Sequence, residues 1–487
     1  MEKVNKRLFV GGDLSGIQKF LYNISSKKAA VSLIGRSFYL KQYMDNVCLE
    51  IENEVKKAGA TDTEVIYNSG GKFYLITNNS DKVRLAIDSC SERVKKALWS
   101  EHMGQLGISI SYVPFDENAD GTVNATNMQN LKPGYLWKMA SADFHRQKNQ
   151  KFKDLLLDSY SQFFEPIAVG GQTKVCAVTG IESADCVKEA LGKDAEDMYI
   201  LPSVKQQIQL GEELRNQQHF KTFEEYAENT KLGILRMDVD GLGKRFIEGF
   251  NSIKDYKAFS KRLVSFFEEK TRKIQEEPTF REYLNIIYAG GDDLFVIGRW
   301  DKVINYADRI HQEIAKDFEK ENITISGGIS IINAKYPIAK AAESAGEAEQ
   351  SAKLFRNGEK NAINFLGKSV SWAKEFDYVK SYQQQFVSLI DNYGLSKGIL
   401  HKLMLYASIA EQNKVRRRDG KPEDFSYVWH LSYYLTRFIN RYKTNDEVCA
   451  FCRDLRDKQI NYKDSRKLEL IAIAARWAEL ILKDNNK

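Results

Sequence analysis

Three aspartates carry the chemistry this sequence is best equipped to do. Asp292 and Asp293 stand side by side in YAGGDDLFVIG, and Asp238 ends the apolar run LGILRMD. Such carboxylates suit phosphoryl chemistry on two divalent cations about 3.5–4 Å apart. One ion lowers the pKa of an attacking hydroxyl, and the other neutralises a triphosphate and its departing pyrophosphate. Mg²⁺ (or Mn²⁺) takes oxygen ligands and keeps several waters, so a few aspartates suffice for two ions. Gly290 and Gly291 precede the acids; without a Cβ, they let the turn take φ > 0 and let a nucleotide approach the backbone. Lys244, Lys353 and Lys360 follow on the same half of the chain and offer point charges for phosphates. Gly and Asp are also ordinary turn residues. The β-rich runs flanking the acids and the upstream Asp238-x-Asp240 favour a site over a surface turn.

For the acids to meet, Asp238 must end a strand that lies beside the hairpin carrying Asp292 and Asp293. The chain writes this arrangement twice. Asp13-Leu-Ser-Gly-Ile-Gln-Lys19 parallels Asp238-Val-Asp-Gly-Leu-Gly-Lys244, VIYNSGGKFYLIT parallels IIYAGGDDLFVIG, and Gly-Ile-Ser-Ile recurs at Gly107–Ile110 and Gly328–Ile331. Three matches in one order at nearly one spacing predict two copies of a domain. Each copy reads strand, helices, hairpin, helix, strand, the split βαβ order of ferredoxin-like domains, a fold that hosts many activities. Between the copies lies a mixed connector with Pro133-Gly134 and Gly170-Gly171, and the chain beyond about residue 370 is helical, as in a bundle. The expected class is therefore α+β, divided at 1–130, 131–230, 231–370 and 371–487.

In copy one, Lys72 and Phe73 stand where copy two has Asp292 and Asp293, so copy one cannot assemble the same carboxylates. It keeps Asp13, Ser15, Ser69, Gly70 and Gly71, which could cradle a second nucleotide through backbone N–H and hydroxyl groups. The alternative is a purely structural pseudo-copy.

Bulk properties bound the rest. The 487 residues are 43% hydrophobic and 28% charged with a net charge of +6, a soluble composition with room for several cores. No apolar run approaches the roughly 18–20 residues a bilayer span needs, and MEKVNKRLFVGGD does not read as a signal peptide. Six cysteines in so long a chain fit a reducing compartment, so a cytoplasmic location is expected. Positive charge gathers in His145–Lys153 (HRQKNQKFK) and Lys414–Lys421 (KVRRRDGK), where phosphate could be met.

GDLSGIQKFLYNISSKKAAVSLIGRSFYL, LGILRMDVDGLGKRF and YAGGDDLFVIG together resemble the large signature subunit of type III CRISPR effector complexes, of the Csm type, over nearly the whole chain. The stretch GEAEQSAKLFRNGEKNAINF is also similar to the tail of diguanylate cyclases. The resemblance implies two palm (nucleotidyl cyclase-like) domains, a connector that often binds zinc, and a closing helical domain. It implies conversion of ATP into cyclic oligoadenylates when target RNA is held. Asp238, Asp292 and Asp293 would then serve metal binding and catalysis, and Asp13, Ser15, Ser69, Gly70 and Gly71 the partner nucleotide. The implied partners are guide RNA and target RNA in a multi-subunit ribonucleoprotein, a subunit binding the guide 5′ end, and small helical subunits; no membrane is involved.

Two departures from the family shape the expectations. No histidine of the chain is followed by aspartate, so HD nuclease activity is not expected. KVCAVTGIE has Thr179 where a second zinc-binding cysteine would stand, leaving only Cys186 nearby; structural zinc wants four ligands, so zinc is not expected. Cys449 and Cys452 read as helix-packing residues. Competing functions are a palm cyclase making a cyclic dinucleotide or an AMP conjugate, and a mainly structural ribonucleoprotein scaffold.

Overall fold

The computed structural model of the chain describes residues 6–24, 28–102, 104–158, 173–190, 197–218, 220–460 and 464–485. Gly170, Gly171 and His219 lie outside them. The architecture is mixed α+β. A first sheet contains β1 (Arg7–Ser15), β2 (Glu64–Ser69), β3 (Lys72–Asn78), β4 (Gly107–Glu117), β5 (Val123–Ala125) and β6 (Met128–Leu131), in the order β2-β3-β1-β4-β5-β6. The connector adds two small hairpins, β7 (Lys174–Val175) with β8 (Glu182–Ser183) and β9 (Val187–Ala190) with β10 (Asp197–Ile200). The second sheet contains β11 (Leu232–Val239), β12 (Leu284–Gly290), β13 (Asp293–Arg299), β14 (Ile325–Ile332), β15 (Ala362–Phe365) and β16 (Lys368–Ser371), in the order β12-β13-β11-β14-β15-β16.

The two orders are the same, and so are details within them. Each GG hairpin carries a register shift at one place, between Val65 and Tyr67 in the first and between Ile286 and Tyr288 in the second. The sheets diverge only beyond their fourth strand: β4 pairs β5 antiparallel, whereas β14 pairs β15 parallel. Central strands are apolar on both faces because both faces are covered. Phe9 of β1 enters one core with Tyr74 and Trp137, while Leu8 and Val10 enter another beneath the helices Ala29–Lys57 and Asp81–His102. The copies share these cores: Trp137 stacks on Tyr256 at 3.7 Å between ring centroids.

Ladder pairing corrects two sequence equivalences. The tetrapeptide Gly-Ile-Ser-Ile lies in matching strands, but Gly107 faces Ser15 whereas Gly328 faces Arg236. The true counterpart of Ser109, opposite Asp13, is Ser326, opposite Asp238. An even displacement along a strand keeps side chains on the same faces, so composition could recur without register.

Helix Gly134–Asn149, past the expected division at 130, packs on β1 and β4. In the connector, helix Pro202–Gln218 lies on Ala29–Lys57 so closely that a Cβ on Gly35 would fall 1.8 Å from the Gln207 carbonyl oxygen. Beyond the second sheet come helices Asp377–Tyr393, Gly398–Arg418, Ser426–Arg441, Asp446–Asp454 and Arg466–Asp484, the last packing on the first two. Cys449 and Cys452 are buried in this helical region. Among the described residues, no helix is long and apolar enough to cross a membrane.

Candidate active site

β11 delivers Asp238 and β13 opens on Asp293, directly across the ladder from it. Asp292 occupies the two-residue turn with Gly291, whose φ of 68° is a left-handed conformation that costs L side chains about 1–2 kcal/mol. The Val239 N–H donates to the Asp292 carbonyl at 3.1 Å and fixes the turn against the first strand. Asp238, Asp292 and Asp293 thereby offer carboxylate oxygens all within 4.8 Å of one another, the one such group of three His, Cys, Asp or Glu among the described residues.

Burial raises the Asp292 pKa, and Asp238 adds to the effect, while Lys72 and Lys353 oppose it. Asp293 is raised well above the usual carboxylate range by burial, then by Asp292 and Asp238. The cluster is thus short of positive charge. Its donors are hard oxygen atoms, and a pair of divalent cations of the Mg²⁺ or Mn²⁺ class would answer the mutual repulsion. The residues present fit such ions.

The lysines expected at the site behave differently. Lys353 bonds Asp238 at 2.5 Å and Glu349 at 2.7 Å; burial works against its charge, but Asp238 and Glu349 raise its pKa overall. Lys244 is not brought in: its side chain is 77% exposed and reaches only Glu248, at 3.8 Å. Lys360 sits in a left-handed turn before β15, where the neighbouring Asn361 N–H donates to Asp240 Oδ2 at 3.0 Å.

Sequence reasoning missed Glu349, which is buried and links Lys353 to Arg236. Its signal was the i,i+4 spacing to Lys353. It also passed over Asp240, whose Oδ2 accepts from Thr324 Oγ1 at 2.8 Å and Ser326 Oγ at 3.0 Å and so clamps the end of β11 to β14.

The hairpin of copy one obliges a correction. Lys72, not Phe73, faces the leading Asp13, as Asp293 faces Asp238. The Leu14 N–H donates to the Gly71 carbonyl as Val239 does to Asp292. Gly71 and Lys72 are therefore the counterparts of Asp292 and Asp293. Phe73 is fully buried in a core, as is Leu294, because a one-residue shift along a strand turns a side chain to the opposite face.

The two GG turns meet. Gly291 N–H donates to Ser69 Oγ at 2.8 Å, and a Cβ on Gly70 would lie 3.0 Å from Gly291 Cα. What approaches these glycines most closely is the other copy's turn. Ser69, Gly70, Gly71 and Gly290 line a cavity of about 310 Å³ together with Lys41 and Glu268; Glu268 accepts from Ser69 Oγ at 2.9 Å and pairs with Lys41. Asp13 and Ser15 face elsewhere: Asp13 is paired with Lys148 at 2.7 Å, and Ser15 donates to the Gly107 carbonyl at 2.9 Å.

With this geometry in place, comparison with known proteins is informative. The family model of the Cas10/Cmr2 second palm domain matches residues 231–364, and that of Csm1 subunit domain B matches residues 6–167. The chain is 28% identical over 423 residues to the CRISPR system single-strand-specific deoxyribonuclease Cas10/Csm1 (subtype III-A) of Enterococcus italicus, covering 73% of this chain and 53% of that protein. It is 22% identical over 512 residues to the protein of the same description from Mycobacterium tuberculosis, covering 88% and 61%. The chain thus spans little more than half the length of these curated relatives. Among crystal structures, a Csm1–Csm4 cassette without ligand shares the fold with a TM-score of 0.67 at 18% identity, covering 98% of this chain and 70% of that one. The cassette in complex with cA4 has a TM-score of 0.63 at 18% identity, covering 97% and 70%.

Proposed function

We propose that this chain, a homologue of the Cas10/Csm1 large subunits of subtype III-A CRISPR systems, polymerises ATP to a cyclic oligoadenylate with release of pyrophosphate. The observation that carries this reading is the convergence of Asp238, Asp292 and Asp293 beside the meeting point of two like hairpins. In it, residues 1–130 and 231–370 are ferredoxin-like palm domains, 131–230 a connector and 371–487 a helical domain. The related cassettes have been solved with ATP, pppApA and cA4.

In this mechanism Asp238, Asp292 and Asp293 hold two divalent cations, and Lys353 keeps Asp238 turned toward them. The ions, when bound, supply an activated hydroxyl and charge neutralisation of the triphosphate. The 3′-oxygen of one ATP forms a bond to the α-phosphorus of the other, the bond to pyrophosphate breaks, and the hydroxyl proton leaves to solvent. Such transfer depends on positioning and charge stabilisation more than on covalent catalysis. The hairpins supply the positioning: copy two presents the carboxylates, and the cavity at Ser69, Gly70 and Gly71 receives part of the partner nucleotide. Guide RNA, target RNA, a Csm4-like subunit and small helical subunits are the partners in this reading, and the setting is the cytoplasm.

The test is to incubate the assembled complex with ATP, Mg²⁺ and matched target RNA and to identify products by mass spectrometry. Cyclic oligoadenylate and pyrophosphate are expected from the wild type, and neither from Asp292→Ala/Asp293→Ala. Pyrophosphate release that survives the double substitution refutes the assigned site. A cyclic dinucleotide or an AMP conjugate changes the product, and no release from the wild type leaves only a scaffold.

A further inference from the structure

The basic run His145–Lys153 finds no use in the site described so far. It leaves helix Gly134–Asn149 and brings Lys148, Lys151 and Lys153 around a cavity of about 160 Å³, with Lys95 and Lys96 contributed by helix Asp81–His102. Against these five lysines the lining offers two carboxylates, Glu92 and Asp154. Lys148 is held by Asp13; Lys95, Lys96, Lys151 and Lys153 form no ion pair with any described residue.

Lys151 is the most telling of the group. Its half-buried Nζ donates to the Gly104 carbonyl at 2.9 Å and lies 4.7 Å from the centroid of the Phe152 ring. Burial lowers its pKa, and Lys19 lowers it further. A desolvated cation without a carboxylate is unfavourable unless an anion meets it. The cavity is smaller than the roughly 300–1,000 Å³ of sites that enclose whole drug-sized ligands, so it suits a compact, strongly charged fragment. Its position is informative too. Ser15 lines it, and two residues earlier on the same strand Asp13 faces Lys72, which follows the Gly70–Gly71 turn that touches copy two.

We propose that this cavity binds a polyphosphate, and that it holds the 5′-triphosphate of the nucleotide or short oligoadenylate that offers its 3′-hydroxyl at the carboxylates. The lysines act as point charges on phosphate oxygens. Holding the 5′ end here keeps its charge off the crowded aspartates and leaves the 3′ end facing them. The assignment of the occupant rests on the polymerase reading, whereas the anion site itself does not.

The two are separated by one set of proteins. In the full chain carrying Asp292→Ala/Asp293→Ala, inorganic tripolyphosphate titrated by calorimetry is expected to bind at one site. Lys151→Ala, and independently the solvent-side pair Lys95→Ala/Lys96→Ala, should each weaken it by about tenfold or more, as expected when a charged hydrogen bond is lost. Unchanged affinity in both variants, each shown to melt like its parent, overturns the anion site. With the carboxylates intact, the wild type should extend pppApA in preference to unphosphorylated ApA, and the lysine variants should lose that preference. A wild type that extends both alike overturns the occupant. A wild type that extends neither, while tripolyphosphate still binds, refutes the polymerase reading instead.

Discussion

Copy one and copy two use one backbone for opposite electrostatic ends. Each ends its first strand on an aspartate, Asp13 or Asp238, and each holds that aspartate with a lysine, Lys148 at 2.7 Å or Lys353 at 2.5 Å, from a helix packed on the same two strands. Across the ladder from the aspartate, however, copy one places Lys72 and copy two places Asp293. In the turn beside them, copy one has Gly71 and copy two has Asp292. Two side chains separate a neutralised edge from one whose three acids repel each other. The duplication diverged in charge at the hairpin while keeping strand order, hairpin register shift and aspartate–lysine pair. A carboxylate cluster is thus a local addition to a scaffold that folds without it.

The most direct way to break this comparison is to give copy two the residue of copy one. Asp293→Lys should lower pyrophosphate release by about 10³-fold, roughly 4 kcal/mol of transition-state stabilisation. Its melting temperature in a chelator should stay at or above that of the wild type, because the substitution relieves buried repulsion. Release within tenfold of the wild type would show that the charge at this ladder position is not what separates the copies.

The copies should also part on acidification. His102, at the end of the copy-one helix Asp81–His102, is buried against Phe20 with Nε2 2.8 Å from the Tyr39 hydroxyl. Burial, then Arg36, pushes its pKa down to about 4. The folded chain keeps this ring neutral while the unfolded chain takes a proton below about 6.5, so the stability is complete above pH 6.5 and is lost as pH falls toward 4. The loss amounts to roughly 3 kcal/mol. In the matching helix Trp300–Asp317, burial lowers His311 too, but Asp308 and Asn361 oppose the shift. Hydrogen exchange followed from pH 7 to pH 5 should therefore open copy one first, and His102→Gln should flatten that difference.

Much of this asymmetry was legible in the sequence, and the part that was not has a physical cause. The two Asp-x-(Ser/Asp)-Gly turns and the two double glycines announced the duplication, because turns need particular residue types at particular places. Asp238, Asp292 and Asp293 come together because one ends a strand and the others open its neighbour. Equivalence within the hairpins was not legible, since aligning letters paired Lys72 with Asp292, whereas hydrogen bonding pairs it with Asp293. Lys244 follows its aspartate at a suggestive spacing, yet the short helix Leu242–Glu248 turns it to solvent. The Lys148–Asp13 pair joins residues far apart in the chain, and no local pattern could report it.

The meeting of the two turns supplies a smaller test. Gly70→Ala must adopt φ near 62° and press a methyl toward Gly291, at a cost of roughly 2 kcal/mol, and should lower both melting temperature and pyrophosphate release. Gly59→Ala is the control: its φ is 98° with open space around the added carbon, so it should cost stability alone. Equal release by both variants would mean that contact between the turns does not set the rate.

The smallest effect concerns what copy one lends to copy two. Lys72 opposes the upward pKa shift of Asp292, but its side chain is exposed, and exposed charge pairs contribute about 1 kcal/mol or less. Removing it should therefore favour metal cations. Lys72→Met should lower the Mg²⁺ concentration for half-maximal pyrophosphate release by no more than about fivefold, and the difference should fade as salt is raised. Lys353→Met removes a cation in direct contact with Asp238 and should shift the same curve further, with a loss of maximal rate that Lys72→Met does not share. If Lys72→Met instead raised the Mg²⁺ requirement and lowered the maximal rate, Lys72 would be acting on the triphosphate rather than on the carboxylates, and the lost acid of copy one would have become part of the catalytic centre of copy two.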